Sequence, residues 1–165
     1  MDNYRLLLER TAKHPLLLRF LRIVDIISVL VTVAALLAAL LQLGTSNLYL
    51  TLGILLTTGI PFVLVSLARA IINAPRPHEV YGRELVRTGE DNGCSFPSRH
   101  AFSSFSIGTA LVFVYPLVGT VVLLFGGVLA LSRVLTGRHF PTDVIAGALI
   151  GMATSTLGML LTILI

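Results

Sequence analysis

His139 and Asp143 stand four residues apart at the end of the stretch Ser132-Arg133-Val-Leu-Thr-Gly-Arg138-His139-Phe-Pro-Thr-Asp143. That spacing suits an imidazole used as a nucleophile or base. A carboxylate that accepts from one ring nitrogen leaves the other free, oriented and more basic. Two guanidinium groups, Arg133 and Arg138, crowd the same stretch, which lies between two long apolar runs. Ionisable groups at the edge of apolar spans are costly unless paired or hydrated, so by default they mark a functional site. A plainer reading also fits these residues alone: a positive loop whose Asp caps a helix.

Two further polar clusters precede it. In Arg69-Ala-Ile-Ile-Asn-Ala-Pro-Arg76-Pro77 two guanidiniums are separated by six residues. Arg69 can project from the last turn of a helix that Pro75 and Pro77 stop, with Arg76 held in an extended loop. Forked planar donors suit two-point binding of a tetrahedral oxyanion, although snorkelling to lipid headgroups explains the spacing as well. In Ser95-Phe-Pro-Ser98-Arg99-His100 a helix start at Pro97 or Ser98 offers free first-turn amides and a hydroxyl to an anion, with His100 beside it. The alternative is an ordinary Ser cap and an interfacial His.

The elements that must position these groups are membrane helices. The 165-residue chain is 55% hydrophobic and only 12% charged, with a net charge of +4; soluble domains carry about twice that charged share. The single cysteine, Cys94, excludes an internal disulfide and a cysteine-cluster metal site. Because the bases flank apolar spans, anionic headgroups or a phosphate substrate are the expected counter-charges, and nucleic acid is not.

Residues 1–22 interleave Arg5, Arg10, Lys13, Arg19 and Arg22 with leucines, which predicts an amphipathic helix lying in the headgroup region, or else a basic tail. Five spans follow, at about 23–43, 48–68, 98–115, 120–135 and 142–165, with a tight turn at Pro116 to Gly119. Asp25, three residues after Arg22, reads as its interfacial partner. Pro61 predicts a kink in the second span, with the freed carbonyl met by Thr57 or Thr58. Ser104 with Gly108, Gly126 with Gly127, and Gly147 with Gly151 predict close packing among the last three spans. The fold expected is therefore all-α: one domain, 1–165, a polytopic membrane bundle of five transmembrane helices plus the amphipathic interfacial helix. The long polar loop 69–97 belongs to the site, and within it 78–96 is expected to read a headgroup. Counting spans between Arg69 and Asp143 brings all three clusters to one membrane face.

The ordered trio resembles the signature of the type 2 phosphatidic acid phosphatase superfamily: Lys-x6-Arg-Pro, Pro-Ser-Gly-His and Ser-Arg-x5-His-x3-Asp. Here it reads Arg69-x6-Arg76-Pro77, Pro97-Ser98-Arg99-His100 and Ser132-Arg133-x5-His139-x3-Asp143. Arg69 replaces the lysine, and Arg99 replaces a glycine whose amide approaches phosphate. The resemblance implies that His139 attacks phosphorus, Asp143 orients it, and His100 protonates the leaving oxygen. It implies that Arg69, Arg76, Arg133 and the groups around Ser98 and Arg99 hold the phosphate, with no metal and no cofactor. Arg138 matches no motif position and is read as a headgroup contact.

The implied function is hydrolysis of a membrane lipid phosphate, of the phosphatidate, phosphatidylglycerophosphate or polyprenyl (pyro)phosphate class, with the bilayer as the partner and no protein partner implied. An anionic-lipid transporter or a catalytically silent lipid binder would also want basic residues at helix ends. Neither needs the His139–Asp143 pair. The basic residues collect on the site's side, which the positive-inside rule makes cytoplasmic, whereas bacterial relatives commonly act on the outer face; the sequence leaves the face open.

Overall fold

The computed structural model describes residues 2–82 and 92–165. Seven helices occur among them: α1 (Asp2–Ala12), α2 (Pro15–Ser46), α3 (Leu48–Ile72), α4 (Pro77–Tyr81), α5 (Arg99–Val112), α6 (Pro116–Leu135) and α7 (Pro141–Leu164). Proline opens α2, α4, α6 and α7, where its missing N–H removes a donor that would have had no helical acceptor. The other two long helices start on side-chain caps, Asn47 accepting from the Leu50 N–H for α3 and Ser98 from the Ala101 N–H for α5. At its far end α3 stops on Asn73, which turns left-handed at φ 43°, a conformation Asn tolerates better than most residues.

Two boundaries and one hydrogen-bonding expectation differ from the sequence reading, each for a local reason. Residues 15–22 do not belong with the N-terminal segment; the chain breaks at Lys13 and His14, and Pro15 starts one 32-residue helix that carries Arg19 and Arg22 into the first apolar run. Pro116 to Gly119 is not a turn but the first turn of α6, with Pro116 at its opening position. The Thr57 and Thr58 hydroxyls both donate to the Ile54 carbonyl rather than to the carbonyl freed by Pro61, and α3 runs through that proline.

Helices α2, α3, α6 and α7 are each long and apolar enough to cross a bilayer. Their outward faces carry Leu30, Leu56, Leu67, Leu124, Leu149 and Leu161 in exposed positions, which in a multi-pass membrane protein meet lipid instead of water. The 14-residue α5 is shorter, roughly 21 Å, and packs against α2, α3, α6 and α7. Hydroxyl pairs tie it in: Ser104 lies 3.3 Å from Thr32 on α2, and Ser106 lies 2.7 Å from Ser155 on α7. Such pairs bind helices where burial of apolar surface drives nothing. Away from the polar end, Leu43, Ile54, Leu111, Val122 and Met159 close the core.

The α5–α7 contact depends on missing side chains. A Cβ on Gly147 would stand 2.5 Å from the Ser98 carbonyl oxygen, and one on Gly151 would stand 2.6 Å from that of Phe102. Gly126 packs near Ser104, but Gly127, read as part of the same packing pair, faces open space. Gly147→Ala is therefore expected to push α5 from α7 and lower stability by about 1–3 kcal/mol, whereas Gly127→Ala should be nearly silent. Unfolding of both variants by SDS titration checks the contrast, and equal midpoints would refute it.

Candidate active site

Because Ser98 opens α5, its backbone can be held directly by the neighbouring helix: the Ser98 N–H donates to the Asp143 carbonyl at 2.9 Å. Proline and Phe140 place Asp143 in the first turn of α7, where one carboxylate oxygen, Oδ2, accepts from the Phe140 N–H at 2.9 Å and from the Ser95 hydroxyl. The same oxygen lies 3.5 Å from Nδ1 of His139, and Ser95 Oγ lies 3.4 Å from that nitrogen. Asp143 thus caps a helix and faces an imidazole at once, so the two readings of this residue were not alternatives. With Nδ1 directed at the carboxylate, Nε2 is the nitrogen left free to act. His139 is 2% exposed. Its pKa is lowered from the ordinary imidazole value, chiefly by burial, with Asp143 opposing the shift; burial thus favours the neutral ring, whose lone pair can act.

The first cluster reaches the same place through the loop before α5. Arg69, buried at the end of α3, donates from Nη1 to the carbonyls of Pro97 and Ser95. Arg76 donates from Nε to the Gly93 carbonyl at 3.0 Å, and the Glu79 carboxylate bridges the N–H groups of Arg76 and Gly93. Both arginines therefore also brace the 93–97 segment. Residues 83–91, most of the segment expected to read a headgroup, lie outside the described residues.

Ser98 is fully buried and its amide is already engaged by Asp143, so of the amides expected to meet an anion, those of Arg99 and His100 in the first turn of α5 are the ones left. His100 is half-buried, and Arg133, His139, Arg99 and Arg138 are within electrostatic reach of its ring. The Arg99 side chain is exposed.

Arg133, buried at the end of α6, places Nε 3.1 Å from Asp25 Oδ2; the charges are paired, although the N–H is not aimed for a hydrogen bond. Arg138 donates to the same oxygen at 3.2 Å. Two expectations are corrected here. Asp25 pairs with Arg133 and Arg138 across the bundle rather than serving only Arg22, and Arg138 is bound to Asp25 rather than reserved for a headgroup. The physical reason is packing of α2 against α6, which the Ser132 hydroxyl also joins by donating to the Leu21 carbonyl.

Sequence reasoning also missed Tyr4 and Ser95. The Tyr4 hydroxyl lies 2.9 Å from the Val134 carbonyl and 3.1 Å from that of His139, and its ring meets Tyr81 and Phe140. Burial raises its pKa above the ordinary phenol value, so it stays a neutral donor. Ser95 had a signal, lying in the quoted second cluster; Tyr4 had none, because only the docking of α1 brings it near. Tyr4→Phe is expected to loosen the turn carrying His139 and lower kcat about twofold to tenfold, the range of one net hydrogen bond, with KM little changed. A KM effect alone would contradict this positioning role.

The PAP2 superfamily model matches residues 46–163. Among curated proteins, the bacitracin transport permease protein BcrC of Bacillus licheniformis is 38% identical over 72 residues, which are 44% of this chain and 34% of that protein; the match thus spans about a third of that relative's length. LpxE from Aquifex aeolicus superposes with a TM-score of 0.74 at 26% identity, covering 96% of this chain and 93% of that one. The first transmembrane PAP2 type phosphatidylglycerolphosphate phosphatase from Bacillus subtilis shares the fold, with a TM-score of 0.71 at 20% identity over 99% of this chain and 86% of that one.

Proposed function

The chain belongs to the PAP2 superfamily, and from that premise we propose that it is a membrane phosphatase which hydrolyses a lipid phosphate through a phosphohistidine. One observation carries the reading: a buried imidazole presents Nδ1 to a carboxylate at the end of a helical bundle where buried arginines converge. In this mechanism His139 Nε2 attacks phosphorus in line with the lipid oxygen. The P–O bond breaks toward that oxygen, which takes a proton from His100. Water, deprotonated by His100, then attacks the phosphohistidine and releases inorganic phosphate. Arg69, Arg76, Arg133 and the Arg99 and His100 amides carry the charge on the equatorial oxygens, the main requirement of phosphoryl transfer. Five spans in one domain, with α5 as the shielded central span, complete the proposal. α5 can be short because its neighbours separate it from lipid.

The second reading is transport, which the printed name of the Bacillus licheniformis relative favours. Phosphate release by the purified protein in detergent with EDTA, across lipid phosphates and soluble esters, separates the two. Release from lipids that survives EDTA supports the phosphatase. A folded protein that releases none, yet moves labelled lipid across proteoliposomes, overturns it.

The protonation state of His139 sets a pH dependence. A protonated ring cannot attack, so kcat/KM falls as pH drops through its pKa, which burial holds below the ordinary imidazole value. The acid limb should therefore lie below about pH 6.5. Because Asp143 raises that pKa, Asp143→Asn should move the limb lower still as well as slow the reaction; a limb moving upward would contradict the assigned geometry.

A further inference from the structure

Helix α1 has two unlike faces. Inward, Leu8 and Thr11 are buried, and the half-buried Tyr4 reaches the turn between α6 and α7, where its hydroxyl meets the Val134 and His139 carbonyls. The rings of Tyr4, Tyr81 and Phe140 form a triangle with centroids 5.7 to 6.2 Å apart. That triangle joins α1 to α4, which follows Arg76, and to the residue between His139 and α7. On the function proposed above, on which this inference rests, α1 lies across the turn that carries the attacking imidazole.

Its seat on the bundle is slight. Of the three leucines of α1 only Leu8 is buried; Leu6 is 51% and Leu7 37% exposed. One buried leucine and one tyrosine hydroxyl weigh little against the entropy of fixing an 11-residue helix. The break at Lys13 and His14 also keeps α2 from extending its own helix into α1. Docking of α1 therefore needs a contribution from outside the bundle.

The outward face indicates its source. Leu6, Leu7 and Arg10 share one side of α1, three and four residues apart, and all are exposed. The first turns of α2 repeat the pattern with exposed Leu16, Arg19 and Phe20, and exposed Lys13 stands at the break between the helices. The side chains of Arg10, Lys13 and Arg19 have no hydrogen-bond or ion-pair partner among the described residues, whereas Arg5 is paired with Glu9 at 3.0 Å. Leucines beside unpaired bases fit the boundary between acyl chains and headgroups, and the bases select anionic over zwitterionic lipid. A soluble acidic partner would satisfy the bases and leave the leucines in water.

We propose that anionic lipid, bound along the face that carries Arg10, Lys13 and Arg19, fastens α1 to the bundle and activates the enzyme through Tyr4. The lipid covers the leucines and compensates the bases outside; inside, Tyr4 is then held against the His139 carbonyl, which fixes the turn and the aim of Nε2. In neutral lipid α1 leaves its seat more often and the imidazole is aimed for a smaller share of the time. Tyr4 is thus a positioning residue whose effect depends on the charge of the surrounding membrane.

The full chain in phosphatidylcholine nanodiscs, with and without phosphatidylglycerol, tests this, using the lipid phosphate that wild type cleaves fastest in detergent. Phosphatidylglycerol should raise wild-type kcat about twofold to tenfold, the contribution of the hydrogen bond it secures, with KM little changed. Tyr4→Phe should lose that response. So should the combined variant Arg10→Gln, Lys13→Gln, Arg19→Gln, which should match wild type in phosphatidylcholine alone. Hydrogen exchange of the α1 amides reads docking without turnover, and phosphatidylglycerol should slow it in wild type but not in the combined variant. Equal activation of Tyr4→Phe would place the lipid effect elsewhere and overturn the proposal. A response in KM alone would mark substrate delivery and overturn it too, as would a combined variant that still responds, or an active wild type whose kcat and exchange ignore the lipid. Slowed α1 exchange in a protein that releases phosphate from no lipid phosphate would sink the phosphatase reading, and the activation with it, while the docking of α1 on anionic lipid stood.

Discussion

His139→Ala is expected to reduce phosphate release by about a thousandfold or more, because removing a nucleophile removes the path and not merely a contact. The substitution trims a buried ring at a loop, outside the apolar core that holds the bundle, so the helices should still assemble; unchanged helical circular dichroism and an SDS midpoint close to wild type would establish that. The chemistry can be read without turnover as well. Wild type quenched during reaction with a labelled lipid phosphate should carry phosphate that is lost in acid and kept in alkali, the behaviour of a phosphoramidate. His139→Ala should carry none, while His100→Ala, lacking both the acid of the first step and the base of the second, should form it slowly and hold it longer once formed. A folded His139→Ala protein that still turns over would end the mechanism.

Asp25→Ala is expected to be nearly as damaging, although Asp25 belongs to none of the motif blocks. The carboxylate is 4% exposed and faces two guanidiniums, Arg133 at 3.1 Å and Arg138 at 3.2 Å. Taking away one partner of a buried pair leaves charge uncompensated where water does not reach, a loss of about 3–5 kcal/mol. Arg138 is the more exposed of the two and can turn to water, so the lower end of that range is expected. Activity should fall further than stability, because Arg133 would lose the group that fixes its position and the like charge of Arg138 would remain beside it. Arg138→Ala alone should be milder, and Asp25→Ala with Arg138→Ala should lose less than the sum of the single changes. SDS unfolding midpoints and kcat/KM for the three variants test the coupling. Strict additivity, or an Asp25→Ala protein with wild-type midpoint and rate, would remove Asp25 from the site.

These two residues show where the sequence was legible. The spacing of His139 and Asp143 suggested a pair, but His139 stands before α7 and meets the carboxylate through the extended turn at Phe140. The apolar runs, the prolines that open helices and the order of the three clusters are likewise properties of short stretches, set by local sterics and by the length a bilayer demands. Asp25 was legible as a charged group in an apolar run but not in its partnership. Arg22 was near in the chain, and the nearness of Arg133 and Arg138 is created by α2 packing on α6.

The same distinction separates the rest. Ser95 and Ser98 stood in the quoted cluster, yet only the folded chain divides their roles: Ser95 turns its hydroxyl to Asp143, and the Ser98 amide is taken by the Asp143 carbonyl. Tyr4 carried no sequence signal, because its hydroxyl meets the His139 and Val134 carbonyls only once α1 has docked. Periodicity, capping and hydropathy act over a few residues and so are written in the order of the chain; the partners of buried charges and the shape of a cavity are decided by which helix faces meet, and that follows from small residues and hydroxyls whose spacing says they will pack but not against what.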